Sequence, residues 1–207
     1  MIKKIKEFYH KYELSFYLSI LGFFLMGTAH VVLTILEFTW LSLNYALFCF
    51  LMFISRIIIW ILTKKNKTSN LYIISAVLLF LIIIPLAVTM VMTILNKNAP
   101  NYLYEYFIYA YALYAFIKIS VSIKNLIKYK KENDEQKILA WFSLVAALFT
   151  LFMLEFSMIR TFAKTDASSL YILEMFFQGI IIAIVIALII YFIRENIKNN
   201  RTNKKEK

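Results

Sequence analysis

LYIISAVLLFLIIIPLAVTMVMTIL, residues 71–95, runs for twenty-five residues without one charged side chain. A helix rises ~1.5 Å per residue and the hydrocarbon of a bilayer is ~30 Å thick, so about twenty such residues reach across. The stretch therefore reads as a transmembrane helix. Five more apolar stretches of spanning length flank it: Leu14–Leu36, Leu41–Thr63, Tyr102–Ile127, Ile138–Ile159 and Leu170–Ile193. Hydrophobic residues make up 62% of the 207 and charged residues 17%, with a mean hydropathy of +0.72. An ordinary soluble domain has ~45–50% and ~25%. The expected fold is all-α: a six-helix membrane bundle forming one domain over residues 1–207, with a basic tail from Arg194 to Lys207 too short for a core of its own.

Lysine and arginine fix the expected orientation. Eighteen lie before the first span, after the second, around the connection between the fourth and fifth, and after the sixth; Lys97, Arg160 and Lys164 are the three on the other side. Positive charge in short connections stays in the cytoplasm, so both termini are expected inside. The net charge of +11 then reflects orientation and attraction to anionic inner-leaflet lipid, not nucleic-acid binding. Lys3, Lys4 and Lys6 before an apolar run resemble a signal peptide, but the run exceeds the ~7–15 residues of a signal core and is read as a retained span. The wealth of Ile, Lys, Asn, Phe and Tyr suggests an AT-rich bacterial genome, and hence a multi-pass protein of a bacterial plasma membrane.

The short connections suggest that consecutive spans pack as antiparallel neighbours. Sliding the chain by 66 positions lays Tyr45, Ala46, Leu47, Phe50 and Lys64 on Tyr111, Ala112, Leu113, Phe116 and Lys130. This is the trace that duplication of a two-span hairpin would leave. Such a shift preserves orientation, unlike the inverted repeats of many transporters. Gly22, Ala29, Gly179, Ala183 and Ala187 are the candidates for close backbone approach, and Pro85 should kink the third span.

Ionisable groups within hydrocarbon cost ~2.5–3.5 kcal/mol each, so they are the functional candidates. Arg56 lies ~10 Å from the inner end of its span, within snorkelling reach of the head groups. Lys118 sits near mid-span. Tyr111, Tyr114, Lys118, Ser122 and Asn125 recur at three and four residues and share one helix face. Glu155, Glu174 and Gln178 fall in the outer half, as does His30, which shares a face with Glu37. The expected pocket opens outward and comprises His30, Tyr111, Tyr114, Lys118, Glu155, Glu174 and Gln178, with Lys118 and Glu155 as an ion pair. The tyrosines at 102, 104, 106 and 109 read as an interfacial belt.

No cofactor or metal is expected. The ligand-capable residues lack tight spacing, and Cys49 is the single cysteine. Catalytic motifs such as G-x-S-x-G, H-E-x-x-H and a phosphate-binding glycine loop are absent from the sequence, so an enzyme is not expected. In outline, six spans in about two hundred residues with both ends inside resembles the substrate-binding subunits of energy-coupling-factor vitamin transporters, and small six-span stress proteins of the HdeD kind. The resemblance is one of architecture, and no residue is carried over from either. Two functions remain open. One is non-enzymatic binding or translocation of a small solute or cation; the other is a structural or accessory subunit whose charges merely pair.

Overall fold

The computed structural model describes residues 2–37, 40–64, 70–95, 105–129, 133–162 and 167–205. They form six helices: α1 (Ile2–Glu37), α2 (Trp40–Lys64), α3 (Leu71–Leu95), α4 (Glu105–Tyr129), α5 (Asp134–Phe162) and α6 (Ala167–Lys205). Helix ends carry the charges that their dipoles favour. Asp134 and Glu135 open α5, while Lys64 and Lys128 close α2 and α4. Both terminal helices exceed their expected spans, and the basic tail continues α6 to Lys205.

Four helices are long and apolar enough to cross a membrane, over Ser42–Lys64, Leu71–Met92, Asp134–Ile159 and Ile172–Asn199. A shorter apolar stretch, Ser19–Ile35, lies in α1. α4 is outside this set because its tyrosines and its Lys118, Ser122 and Asn125 dilute its apolar character.

Contacts along the helices establish an up-and-down bundle. Near one end His30 of α1 meets Ser42 of α2, and near the other Tyr17 meets Trp60. Lys118 of α4 meets Thr150 of α5, and Ser122 meets Ser143. The chain passes α1 to α2 to α3 by adjacent packing, and α4 to α5 to α6 likewise, with α3 against α6 and α2 against α5. Lys64, Lys128 and Lys137 gather at what we call the basic end.

This pattern corrects the expectation that every consecutive pair packs together. α3 and α4 are not among the helix pairs in extensive contact. The nine residues between Leu95 and Glu105 can reach ~30 Å when extended, so they do not force adjacency. A duplicated hairpin would place α3 on α4 as α1 lies on α2; the packing instead relates each of α1, α2 and α3 to the helix three places later.

α5 is the centre of the bundle. In its apolar window 67% of residues are buried, against 28% in α6, so it presents an apolar surface all round, as a helix enclosed by others must. Phe142, Phe149, Phe152 and Phe156 supply its bulk, and Phe149 packs on Phe48 with ring centroids 4.0 Å apart.

Close backbone approach occurs at a glycine that the sequence reading did not select. A Cβ on Gly27 would lie 3.2 Å from the Phe50 ring and 3.4 Å from the Cys49 Cβ, whereas Gly22 and Gly179 have open space there. α3 runs unbroken through Pro85. The Pro85 carbonyl accepts hydrogen bonds from Asn44 Nδ2 at 2.6 Å and Thr89 Oγ1 at 2.6 Å, tying α3 to α2.

Candidate functional site

α1 and α4 stand on either side of a cleft whose floor is formed by α2 and α5. The cavity measures 330 Å³, at the lower end of the ~300–1,000 Å³ of small-molecule sites. α1 contributes Ser19 and Phe23, α2 contributes Arg56, and α5 contributes Gln136, Leu139, Ala140 and Ser143. The remaining wall is the α4 stripe from Tyr114 through Lys118, Ser122 and Asn125 to Tyr129. From Tyr129 to Lys118 is about 16 Å along the helix, so the cleft runs from the basic end toward mid-bundle.

Opposite that stripe, α5 carries Gln136, Ser143 and Thr150 at steps of seven, a spacing that keeps them close to one side of a helix. Two seams of polar groups therefore meet along the α4–α5 contact. Lys118 Nζ donates to Thr150 Oγ1 at 3.0 Å, and that hydroxyl donates onward to the Ala146 carbonyl at 2.8 Å. Ser122 Oγ donates to the Ser143 carbonyl at 3.1 Å. Arg56 Nη2 donates to Ser143 Oγ at 2.9 Å.

Both cations also lie over the ring of Phe23: Arg56 Cζ is 5.0 Å and Lys118 Nζ 4.9 Å from its centroid. The Tyr114 ring is 5.2 Å from Lys118 Nζ. With each cation within 5.0 Å of one centroid, the two charges are no more than about 10 Å apart. At an effective dielectric of ~20 that separation corresponds to a repulsion of at least ~1.5 kcal/mol. Cation–π attraction of ~0.5–2 kcal/mol per contact offsets part of this. None of the described residues lining the cleft is an aspartate or glutamate.

Two sequence expectations are corrected here. Arg56 does not reach out to the head groups; it is 4% exposed and turned into the cleft. Lys118 does not pair with Glu155. Its ammonium is taken by Thr150, while both Glu155 carboxylate oxygens are buried with no hydrogen-bond partner. The reason is direction: the seam that Lys118 faces carries Thr150, and the closest charge felt by Glu155 is the repelling carboxylate of Glu174 on α6.

The expected seven-residue pocket is accordingly divided. Tyr114 and Lys118 line the cleft. Farther from the basic end, Tyr111 Oη lies 3.3 Å from Tyr45 Oη, Tyr45 packs on the His30 ring at 4.2 Å, and His30 Nδ1 is 3.2 Å from Ser42 Oγ. These four side chains fill the space beyond the cleft. Glu174 and Gln178 are buried on α6, which contributes no wall to the cleft, and both amide atoms of Gln178 lack a hydrogen-bond partner. Glu37 and the tyrosines at 102, 104 and 106 have side chains outside the described set, while Tyr109 is exposed.

Sequence reasoning missed Phe23, Ser143 and Gln136. The heptad spacing of Gln136, Ser143 and Thr150 was the available signal for the last two; nothing in the sequence marked Phe23 among nineteen phenylalanines. Among the described residues no group of three His, Cys, Asp or Glu side chains is placed to hold a metal. Cys49 is buried against α1. Comparison of the chain with protein family models, curated proteins and solved structures gives no match.

Proposed function

We propose that this chain is a six-span membrane protein with both termini in the cytoplasm, and that it binds a small anionic group, without enzymatic chemistry, in the cleft between α1 and α4. The observation that carries this reading is a cavity walled by Arg56 and Lys118 and by no described carboxylate. Two desolvated cations in an apolar surround leave a charge deficit that an anion offsets, while serine, asparagine and glutamine side chains supply directed hydrogen bonds. The bias of basic residues places the mouth of the cleft on the cytoplasmic side. The ligand preference is therefore the reverse of the cation expected from the acidic residues in the sequence, and the opening faces inward.

The tyrosine and histidine contacts beyond the cleft favour passage as a second reading. Tyr45, Tyr111, His30 and Ser42 form a hydrogen-bonding plug in line with the cavity, as a carrier open inward and closed outward requires. An accessory subunit with no ligand is the outcome that a negative test would leave.

The test is thermal unfolding of the purified protein in non-ionic detergent with inorganic phosphate, sulfate or tetramethylammonium. The anions should raise the midpoint, the cation should not, and Arg56→Gln should weaken the anion effect by on the order of 10-fold in affinity, one charge-assisted hydrogen bond. Equal responses to anion and cation, or an Arg56→Gln protein that responds like wild type, would refute the reading.

A further inference from the structure

The cleft has an open side. α1 packs along α2, and α4 along α5, while α2 and α5 pack on each other as the floor. The gap between α1 and α4 therefore faces away from the bundle axis, toward lipid. The residues on its α4 rim are apolar and uncovered: Ile117 is 54% exposed and Val121 49%. One turn around the same helix, Lys118 and Ser122 point into the cavity. A short path thus leads from hydrocarbon, across an apolar rim, to two cations.

Resting on the anion-site reading above, we propose that the ligand is amphiphilic: an anionic phospholipid of the leaflet at the basic end, entering sideways between α1 and α4. Charge complementarity selects the head group, since a phosphate offers the acceptor oxygens that the forked guanidinium of Arg56 and the ammonium of Lys118 can both use. The size of the cavity selects how much of the lipid enters. At 330 Å³ it equals the space of about eleven waters at ~30 Å³ each, enough for a phosphate and its alcohol and too little for two acyl chains. The chains remain in the bilayer against Ile117 and Val121. A zwitterionic lipid would bring its own cation toward Arg56 and Lys118 and is disfavoured.

The experiment compares dioctanoyl phosphatidylglycerol, dioctanoyl phosphatidylcholine and glycerol 3-phosphate by native mass spectrometry of the purified protein in non-ionic detergent. Phosphatidylglycerol should bind at least ten-fold more tightly than either of the others, and Arg56→Gln should remove its advantage over phosphatidylcholine. Val121→Trp, at an exposed position where the larger ring clashes with nothing buried, should obstruct the rim, weakening phosphatidylglycerol several-fold and leaving glycerol 3-phosphate unchanged. Glycerol 3-phosphate binding as tightly as the lipid, in an Arg56-dependent manner, would overturn lateral entry while the anion site stands. Equal binding of both lipids, unaffected by Arg56→Gln and with no glycerol 3-phosphate bound, would overturn both.

Discussion

Lys118→Met is expected to weaken anion binding by on the order of 10- to 100-fold and, at the same time, to make the unliganded protein more stable. The first effect is the loss of a charge-assisted hydrogen bond of ~1.5–3 kcal/mol. The second follows from the surroundings of the ammonium. Lys118 is held near Arg56 by the shared Phe23 contact, and its hydrogen-bond partner Thr150 keeps its own bond to Ala146 when the lysine is gone. Removing the charge thus relieves desolvation and at least ~1.5 kcal/mol of repulsion without leaving a buried donor unsatisfied. Methionine fills the stem volume. For a chain of this length ~1.5 kcal/mol corresponds to a rise of about 3–6 °C in the unfolding midpoint, measured by scanning fluorimetry in detergent. A structural ion pair requires the reverse, a loss of ~3–5 kcal/mol. A destabilised Lys118→Met protein would therefore show that the lysine serves the fold and not a ligand.

Phe149→Ala should have the largest effect on stability. Its ring is fully buried at the α2–α5 crossing, 4.0 Å from Phe48, 5.5 Å from Tyr45 and 6.1 Å from Phe152 between centroids. Lipid is as apolar as a protein core, so the transfer term that adds to core substitutions in water is largely missing here. What remains is the cavity and its lost dispersion contacts, about 2–4 kcal/mol. That lowers the midpoint by roughly 5–15 °C. Phe116→Ala, at a ring 59% exposed on α4, is the control and should change it by less than ~1 kcal/mol, because lipid refills the space. If the two substitutions cost the same, α5 is not the central helix of the fold.

The helices were legible because hydrocarbon demands long apolar runs with internally satisfied backbones. The run at residues 71–95 needed no other context. The neighbours of each helix were less legible. Connection length constrains adjacency only when it is short, and the nine residues before α4 are too many. The polar stripe of α4 was readable from spacing alone, and Tyr114 and Lys118 do line the cleft. The partner of Lys118 was not readable, since any acidic residue at suitable depth was a candidate and only the rotation of α5 decides whether Thr150 or Glu155 faces it. Arg56 was misjudged for a related reason. Depth permits snorkelling, but the direction of the side chain is set by Ser143 and Phe23, 87 residues ahead and 33 behind in sequence. Small residues misled in a similar way. Gly27 is close-packed because Phe50 happens to face it, a fact of helix rotation that composition does not encode.

The central claim is a cationic cleft that opens at the basic end, and one reactivity ratio tests it most directly. Ser143→Cys places a thiol on the cleft wall beside Arg56, in a background where Cys49 is replaced by Ala. Inside-out membrane vesicles are then treated with a sulfonate-bearing methanethiosulfonate or with its trimethylammonium counterpart, reagents of similar size and opposite charge. A cleft lined with one sign of charge raises the local concentration of the opposite ion by 10-fold or more. The anionic reagent is expected to modify the cysteine at least ten times faster than the cationic one, and Arg56→Gln should reduce that ratio. A thiol that reacts from the opposite side of the membrane, or equally with both reagents, or faster with the cation, would contradict the account.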